Sequence, residues 1–184
     1  MKKFFLFTVL IGILTASFSV SAARPLDLRP GTMMLGGEVS FSSDKFIPEE
    51  GDTVSGKVIT FSPYFGYFVA PNFAVTGHLS YVNFDGDAYG ATPDVFSIGF
   101  GTMFMQRLIA FYLYVGFDVG YHRTMPEDGD ASGGLYIGGN VGLMFPLNRH
   151  VAINTSIRLN YEMNDDTADL LSLTIGYFGL TAFF

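Results

Sequence analysis

The stretch FYLYVGFDVGY, residues 111–121, puts Phe111, Leu113, Val115, Phe117, Val119 and Tyr121 on one side of an extended strand. Tyr112, Tyr114, Gly116, Asp118 and Gly120 fall on the other. Successive side chains of a strand point to opposite faces, so this period of two sets apart an oily face and a small, polar one. The same period recurs in eight segments, near 32–43, 54–69, 73–84, 95–105, 109–121, 134–145, 151–163 and 170–184. None carries a convincing helical period, so the chain is bound to be all-β. The open question is which solvent the oily face meets.

The connectors alternate in length. DKFIPEEGDT, DGDAYGATPD, RTMPEDGDAS and NDDTAD are long or acidic, whereas APN (70–72), QRL (106–108) and PLNRH (146–150) are short. An even number of strands joined by long and short connectors in turn is the layout of an eight-stranded antiparallel up-and-down transmembrane β-barrel. A tilted strand of ~11 residues climbs about 25 Å, the height of the apolar band on such barrels. Strands of soluble proteins are usually shorter, about 5–6 residues. No repeated motif points to a solenoid.

The two faces differ in kind. The oily faces read Ile109, Phe111, Leu113, Val115, Phe117, Val119, Tyr121 in the fifth segment and Val151, Ile153, Thr155, Ile157, Leu159, Tyr161, Met163 in the seventh. The sixth and third continue the pattern, with Leu135, Ile137, Val141, Leu143, Phe145 and with Phe73, Val75, Leu79, Tyr81. No charge interrupts them, and Lys57 comes nearest, close to the long-connector end of the second segment. The opposite faces carry Gly36, Glu38, Ser40, Ser42; Ser97, Gly99, Gly101, Met103; Tyr136, Gly138, Asn140, Gly142; and Asn154, Ser156, Arg158, Asn160, Glu162. A soluble barrel would turn the oily face inward and cover the outside with Lys and Glu. Here the polar face suits a cramped interior, and the oily face holds more bulk than a small pocket takes. Aromatics near strand ends (Phe65, Tyr67, Phe73, Tyr81, Phe104, Tyr121, Phe145, Tyr161, Phe184) fit girdles at two lipid–water boundaries.

Composition narrows function. Residues 1–22 read as a cleaved signal peptide: Lys2 and Lys3, then FFLFTVLIGIL, then the small residues SVSA before a cut near Ala22 or Ala23. The barrel domain is then 23–184. The apolar core of that segment is too short for a spanning helix, and no later apolar run reaches the needed length. Loss of Lys2 and Lys3 moves the net charge from −7 to −9, against nucleic acid as a partner. With no Cys among 184 residues, disulfides, thiolate metal sites and thiol nucleophiles are excluded.

SPYFGYFVAPNFAVTGHLSY (62–81), the terminal GLTAFF and the eight-strand, four-long-loop layout together resemble the small eight-stranded outer-membrane barrels, the OmpX-like, OmpA-transmembrane-like and opacity-protein-like proteins. The resemblance covers the whole chain after residue 22. It implies a monomer in the outer membrane with both termini periplasmic and the long loops outside. It makes Phe184 the signal read by the barrel-assembly machinery, and outer-membrane lipids and lipopolysaccharide the surroundings. Residues 44–52, 85–94, 123–130 and 164–169 hold 13 acidic residues against Lys45 and Arg123, a surface where an external ligand could bind. In the last segment Leu171, Leu173, Ile175 and Tyr177 share one parity and Phe178, Leu180, Ala182 and Phe184 the other; a bulge near Phe178–Gly179 would reconcile them.

The chemistry-bearing interior set is Glu38, Asp118, Arg158 and Glu162, with His78, His122, Tyr112, Tyr114, Asn140 and Asn160. In a narrow barrel, side chains from different strands meet. The set reads as a polar plug in which Arg158 neutralises carboxylates that would be costly to bury, or as a gated ion path. His78 and Ser80 share a face and resemble the His-x-Ser dyad of barrel lipid A deacylases, although Tyr81 stands where Asn is expected there. DGD (85–87) and EDGD (127–130) offer oxygen ligands for Ca²⁺ without the helix-loop-helix pattern. No cofactor is expected. The expectation is a structural or surface-interaction protein without catalysis, with a narrow porin and a lipid A-modifying enzyme as alternatives.

Overall fold

Each alternating segment becomes one strand. In the computed structural model, which describes residues 25–46, 54–85, 94–125, 132–164 and 170–184, these are β1 (Met33–Phe46), β2 (Val54–Ala70), β3 (Phe73–Asp85), β4 (Asp94–Arg107), β5 (Tyr112–Met125), β6 (Ser132–Pro146), β7 (Val151–Asn164) and β8 (Leu170–Phe183). They pair in sequence order, antiparallel throughout, and β8 returns to β1 to close the barrel. Among the described residues no helix is long and apolar enough to cross a membrane, a fact without bearing on crossing by strands. The calcium candidates at 86–87 and 127–130, residues 1–22 and most of the acidic connectors lie outside the described residues.

The short connectors, the segment 25–32 and Phe184 share one end of the barrel, here the turn end; the long connectors leave from the loop end. At the Pro71–Asn72 turn, Asn72 sits at φ 64°, a left-handed conformation Asn tolerates. Its carbonyl accepts from Met105 N–H at 2.8 Å, and its N–H donates to the Leu28 carbonyl at 3.1 Å. The β4–β5 turn is one residue longer than the sequence implies. Leu108 N–H donates to the Phe111 carbonyl at 2.8 Å, so β5 starts at Tyr112. Ile109, expected on the strand's oily face, sits instead on the turn and is 99% exposed.

The facing expected from period two holds within the strands. Val115, Phe117, Val119, Leu135, Ile137, Ile153, Ile157 and Leu159 all point outward. Inward on the neighbouring parity lie Tyr112, Tyr114, Asp118, Tyr136, Asn154, Ser156 and Arg158. The parity break in β8 is a bulge, but two residues before the expected place. Pairing with β7 steps from Ser156↔Tyr177 to Ile157↔Ile175, leaving Gly176 as the extra residue at φ 94°. Only glycine takes that conformation without a Cβ penalty. Tyr177 therefore turns inward, while Leu171, Leu173, Ile175, Phe178 and Leu180 all stay outside.

Candidate functional site: a lumen in three levels

The barrel interior changes character from one end to the other. At the turn end, Met34, Phe68, Ala74, Met103, Met105, Tyr112, Met144, Ala152 and Phe183 form one buried apolar cluster. The rings of Phe68 and Phe183 lie 6.4 Å apart. The segment before β1 folds under this cluster and adds Leu26 and Leu28 to it. Four hydrogen bonds hold it there: Leu26 N–H to Tyr112 Oη at 2.9 Å, Gly31 N–H to the Phe68 carbonyl at 2.9 Å, Phe68 N–H to the Thr32 carbonyl at 2.9 Å, and Asn72 N–H to the Leu28 carbonyl at 3.1 Å. Methionine, unbranched and with three rotatable bonds, fills irregular gaps between such rings. The turn end is thus stoppered with hydrocarbon.

Above the stopper sits Glu38, buried and surrounded by donors. Tyr114 Oη donates to its Oε1 at 3.0 Å and Asn154 Nδ2 at 2.6 Å, and Ser156 Oγ lies 3.3 Å from both oxygens. The network runs on through Thr181, whose hydroxyl donates to Asn154 Oδ1 at 3.1 Å and is bonded to Tyr64 Oη. A buried carboxylate is tolerable when its lone pairs are filled like this. Five strands, β1, β2, β5, β7 and β8, are tied across the lumen by these bonds.

Next to Glu38, a cavity of about 20 Å³ is lined by Asp118, Arg158, His78, Asn140 and Tyr64, among others. It has room for about one water. His78 Nε2 lies 2.6 Å from Tyr136 Oη and 3.5 Å from Asp118 Oδ2. Gly99 makes this contact fit: a Cβ there would fall 2.7 Å from His78 Cε1 and on top of Tyr136 Oη. The Arg158 guanidinium lies over the Tyr177 ring, 5.7 Å from its centroid. Among the described residues no carboxylate oxygen comes within 4.0 Å of it, and its Nε has no hydrogen-bond partner.

Of the predicted set, then, Glu38, Asp118 and Arg158 border one small space, while Glu162 sits higher, in a chamber that Arg158 also floors. Arg158 does not pair directly with any of the three carboxylates. Ser80 does not bond His78 either; its Oγ accepts from Ser62 Oγ at 3.0 Å. Sequence reasoning put Asn154 and Ser156 on the polar face without linking them to Glu38, and it missed Thr181. Parity assigns a face, whereas the depth at which strands bring residues together depends on stagger.

The loop-end chamber measures about 590 Å³. Its wall mixes the hydroxyls of Ser40, Thr60, Ser97, Thr124, Ser172 and Thr174 with the apolar Val58, Val82, Val95 and Phe84. Among the described residues no group of three or more His, Asp or Glu is placed to hold a metal.

No protein-family model matches the chain, and no curated protein sequence does. Solved structures do match. Neisserial surface protein A (NspA) is similar at 14% identity and a TM-score of 0.64, over 83% of this chain and 96% of that one. The N-terminal β-barrel domain of Pseudomonas aeruginosa OprF gives 11% identity and a TM-score of 0.53 over 84% and 98%. The outer membrane protein OprG from Pseudomonas aeruginosa gives 13% and 0.51 over 88% and 99%. The fold is that of the small eight-stranded outer-membrane barrels.

Proposed function

We propose that this chain is an integral outer-membrane β-barrel with a closed lumen, serving a structural or surface-interaction role: envelope integrity, or loop-mediated contact with an external ligand. One observation carries the reading. The outward face is a charge-free apolar belt around a lumen stoppered at its turn end by Met34, Phe68, Met105, Met144 and Phe183. In water such a belt would drive aggregation; in a bilayer it meets hydrocarbon, and a closed barrel leaves few backbone groups unpaired.

Both termini belong in the periplasm on this reading, with residues 1–22 as a removed signal peptide and Phe184 as the mark read by the barrel-assembly machinery. Phe184 is 72% exposed, and its N–H donates to the Met33 carbonyl at 2.9 Å across the closing seam. Lipopolysaccharide and outer-membrane lipids are the surrounding partners. The acidic loops are the surface for an external ligand, the protein works as a monomer, and neither cofactor nor catalysis is involved. The 2.6 Å contact between His78 Nε2 and Tyr136 Oη supports the non-catalytic reading, because it engages a ring nitrogen that would have to activate Ser80.

Conductance in planar bilayers tests the closed lumen. The purified protein should pass no ions, and Arg158→Ala should pass none either, because the apolar stopper lies beneath Arg158. Steady unitary currents from the unmodified protein would overturn the closed-lumen reading in favour of a narrow porin. Lipid A mass spectra that change between cells carrying the natural protein and Ser80→Ala would restore the enzyme.

A further inference from the structure

The wall of the barrel is not equally continuous all the way round. The β4–β5 pairing runs the full length, from Arg107↔Tyr112 to Asp94↔Met125. The β1–β8 pairing starts at Met34↔Phe183, reaches Val39↔Phe178 and stops. Toward the loop end β1 continues to Phe46, paired only with β2, and β8 continues back to Leu170, paired only with β7. The Gly176 bulge sits where the pairing ends, and bulges re-aim strands.

Both edges of the resulting slot between β1 and β8 also face the chamber. Ser40 from one edge and Ser172, Thr174 and Tyr177 from the other all line the 590 Å³ space. Unpaired strand edges do not persist against hydrocarbon alone; they need a water-filled cavity or a hydrogen-bonding partner. The chamber floor is Arg158, nine-tenths buried with its Nε unpartnered, and Glu162 stands in the same wall, so the space demands no net charge from an occupant. Its exit toward the turn end is blocked by the apolar cluster.

From this geometry we infer that the loop-end chamber binds the hydroxylated head of a single-chain amphiphile, whose acyl chain leaves sideways through the β1–β8 slot into the surrounding lipid. Head-group hydroxyls, donors and acceptors at once, complete the free strand edges and pair with the hydroxyls of the chamber wall. The tail lies along Phe41, Leu173 and Ile175. The inference rests on the membrane-barrel reading above.

The chain has neither Trp nor Cys, so both can be introduced as unique probes. The protein is reconstituted in unlabelled bilayers and titrated with a monoacylglycerol brominated on its acyl chain. Ser172→Trp, in the chamber, should be quenched saturably, with recovery on adding the unbrominated compound. In Ser172→Trp combined with Phe41→Cys and Ile175→Cys, bridging the two thiols with a short bismaleimide should remove the saturable component. Ser40→Trp repeats the readout from the other edge should Ser172→Trp not fold. Phe117→Trp, on the outward belt, reports insertion and should be quenched without saturation in every case. Quenched Phe117→Trp beside unquenched chamber Trp variants would overturn the inference and leave the membrane reading standing, as would quenching indifferent to the bridge. An unquenched Phe117→Trp would overturn both together.

Discussion

The two halves of the lumen are built from the same eight strands and the same parity, yet they are opposites. The turn-end half is packed with Met34, Phe68, Met103, Met105, Met144 and Phe183 and sealed from below by Leu26 and Leu28. The loop-end half is a space of about 590 Å³ with hydroxyls in its wall. Glu38 and its donors mark the boundary. The difference teaches that stability and function occupy different depths of one barrel. The apolar half holds the cylinder together from within, where small inward residues alone would leave voids. The polar half forgoes packing and keeps room for water or a ligand.

The contrast can be broken most directly by truncating side chains on either side of the boundary. Phe68→Ala or Phe183→Ala should cost about 3–5 kcal/mol, the usual loss for a buried aromatic that leaves a cavity. Ser97→Ala, in the chamber wall, should stay within about 0.5 kcal/mol. Urea titration of the refolded protein in lipid vesicles measures both. Equal losses would mean that the chamber is packed after all.

At the boundary, Glu38→Ala strands the Tyr114, Asn154 and Ser156 donors and should cost about 1–3 kcal/mol. Glu38→Gln, which keeps one acceptor oxygen, should cost less in the same titration. Gly176→Ala comes next: an alanine forced to φ 94° is strained by about 1–2 kcal/mol. Relief by extending the β1–β8 pairing instead would show as slower amide exchange in Ser40 and Phe41.

The smallest effect belongs to the segment beneath the stopper. Asp27 accepts from Arg29 Nε at 2.8 Å and pairs with its Nη2 at 2.6 Å, which holds the carboxyl down at about 2. A lowered folded-state pKa contributes stability above the ordinary value of 3.8 and loses it as pH falls from there toward about 2. The unfolding midpoint of the natural protein should therefore exceed that of Asp27→Asn by a constant, small margin above pH 4. The margin should close between pH 4 and 2. Arg29 is exposed and Asp27 only half-buried, so added salt should shrink it.

Much of this was legible in the residues. Period two assigns a face, and that alone puts Val115, Phe117 and Val119 outside and Asp118 inside. It is blind to depth, because stagger between strands does not show in one sequence. Glu38 and Asn154 meet across 116 positions for that reason, and Arg158 rests on Tyr177 rather than on a carboxylate. The stopper did leave a trace that parity alone does not weigh. Met34, Phe68, Met105, Met144 and Phe183 are large apolar residues on the otherwise small, polar face, each close to the turn end of its strand. The bulge announced itself as a broken alternation. Alternation alone sets it too late, because Tyr177 shares the parity of Leu171, Leu173 and Ile175 and yet faces inward, Gly176 being the extra residue.

Whether hydrocarbon wraps the apolar belt decides everything else, and gel mobility before and after boiling tests it most directly. The chain without residues 1–22, refolded once into lipid vesicles and once by dilution into detergent-free buffer, is run both ways. The lipid sample should migrate differently unboiled and boiled, and the buffer sample should show only the unfolded or aggregated form. A soluble, monomeric, heat-modifiable species in plain buffer would contradict it, since Leu159 and Val115 would then have to face inward.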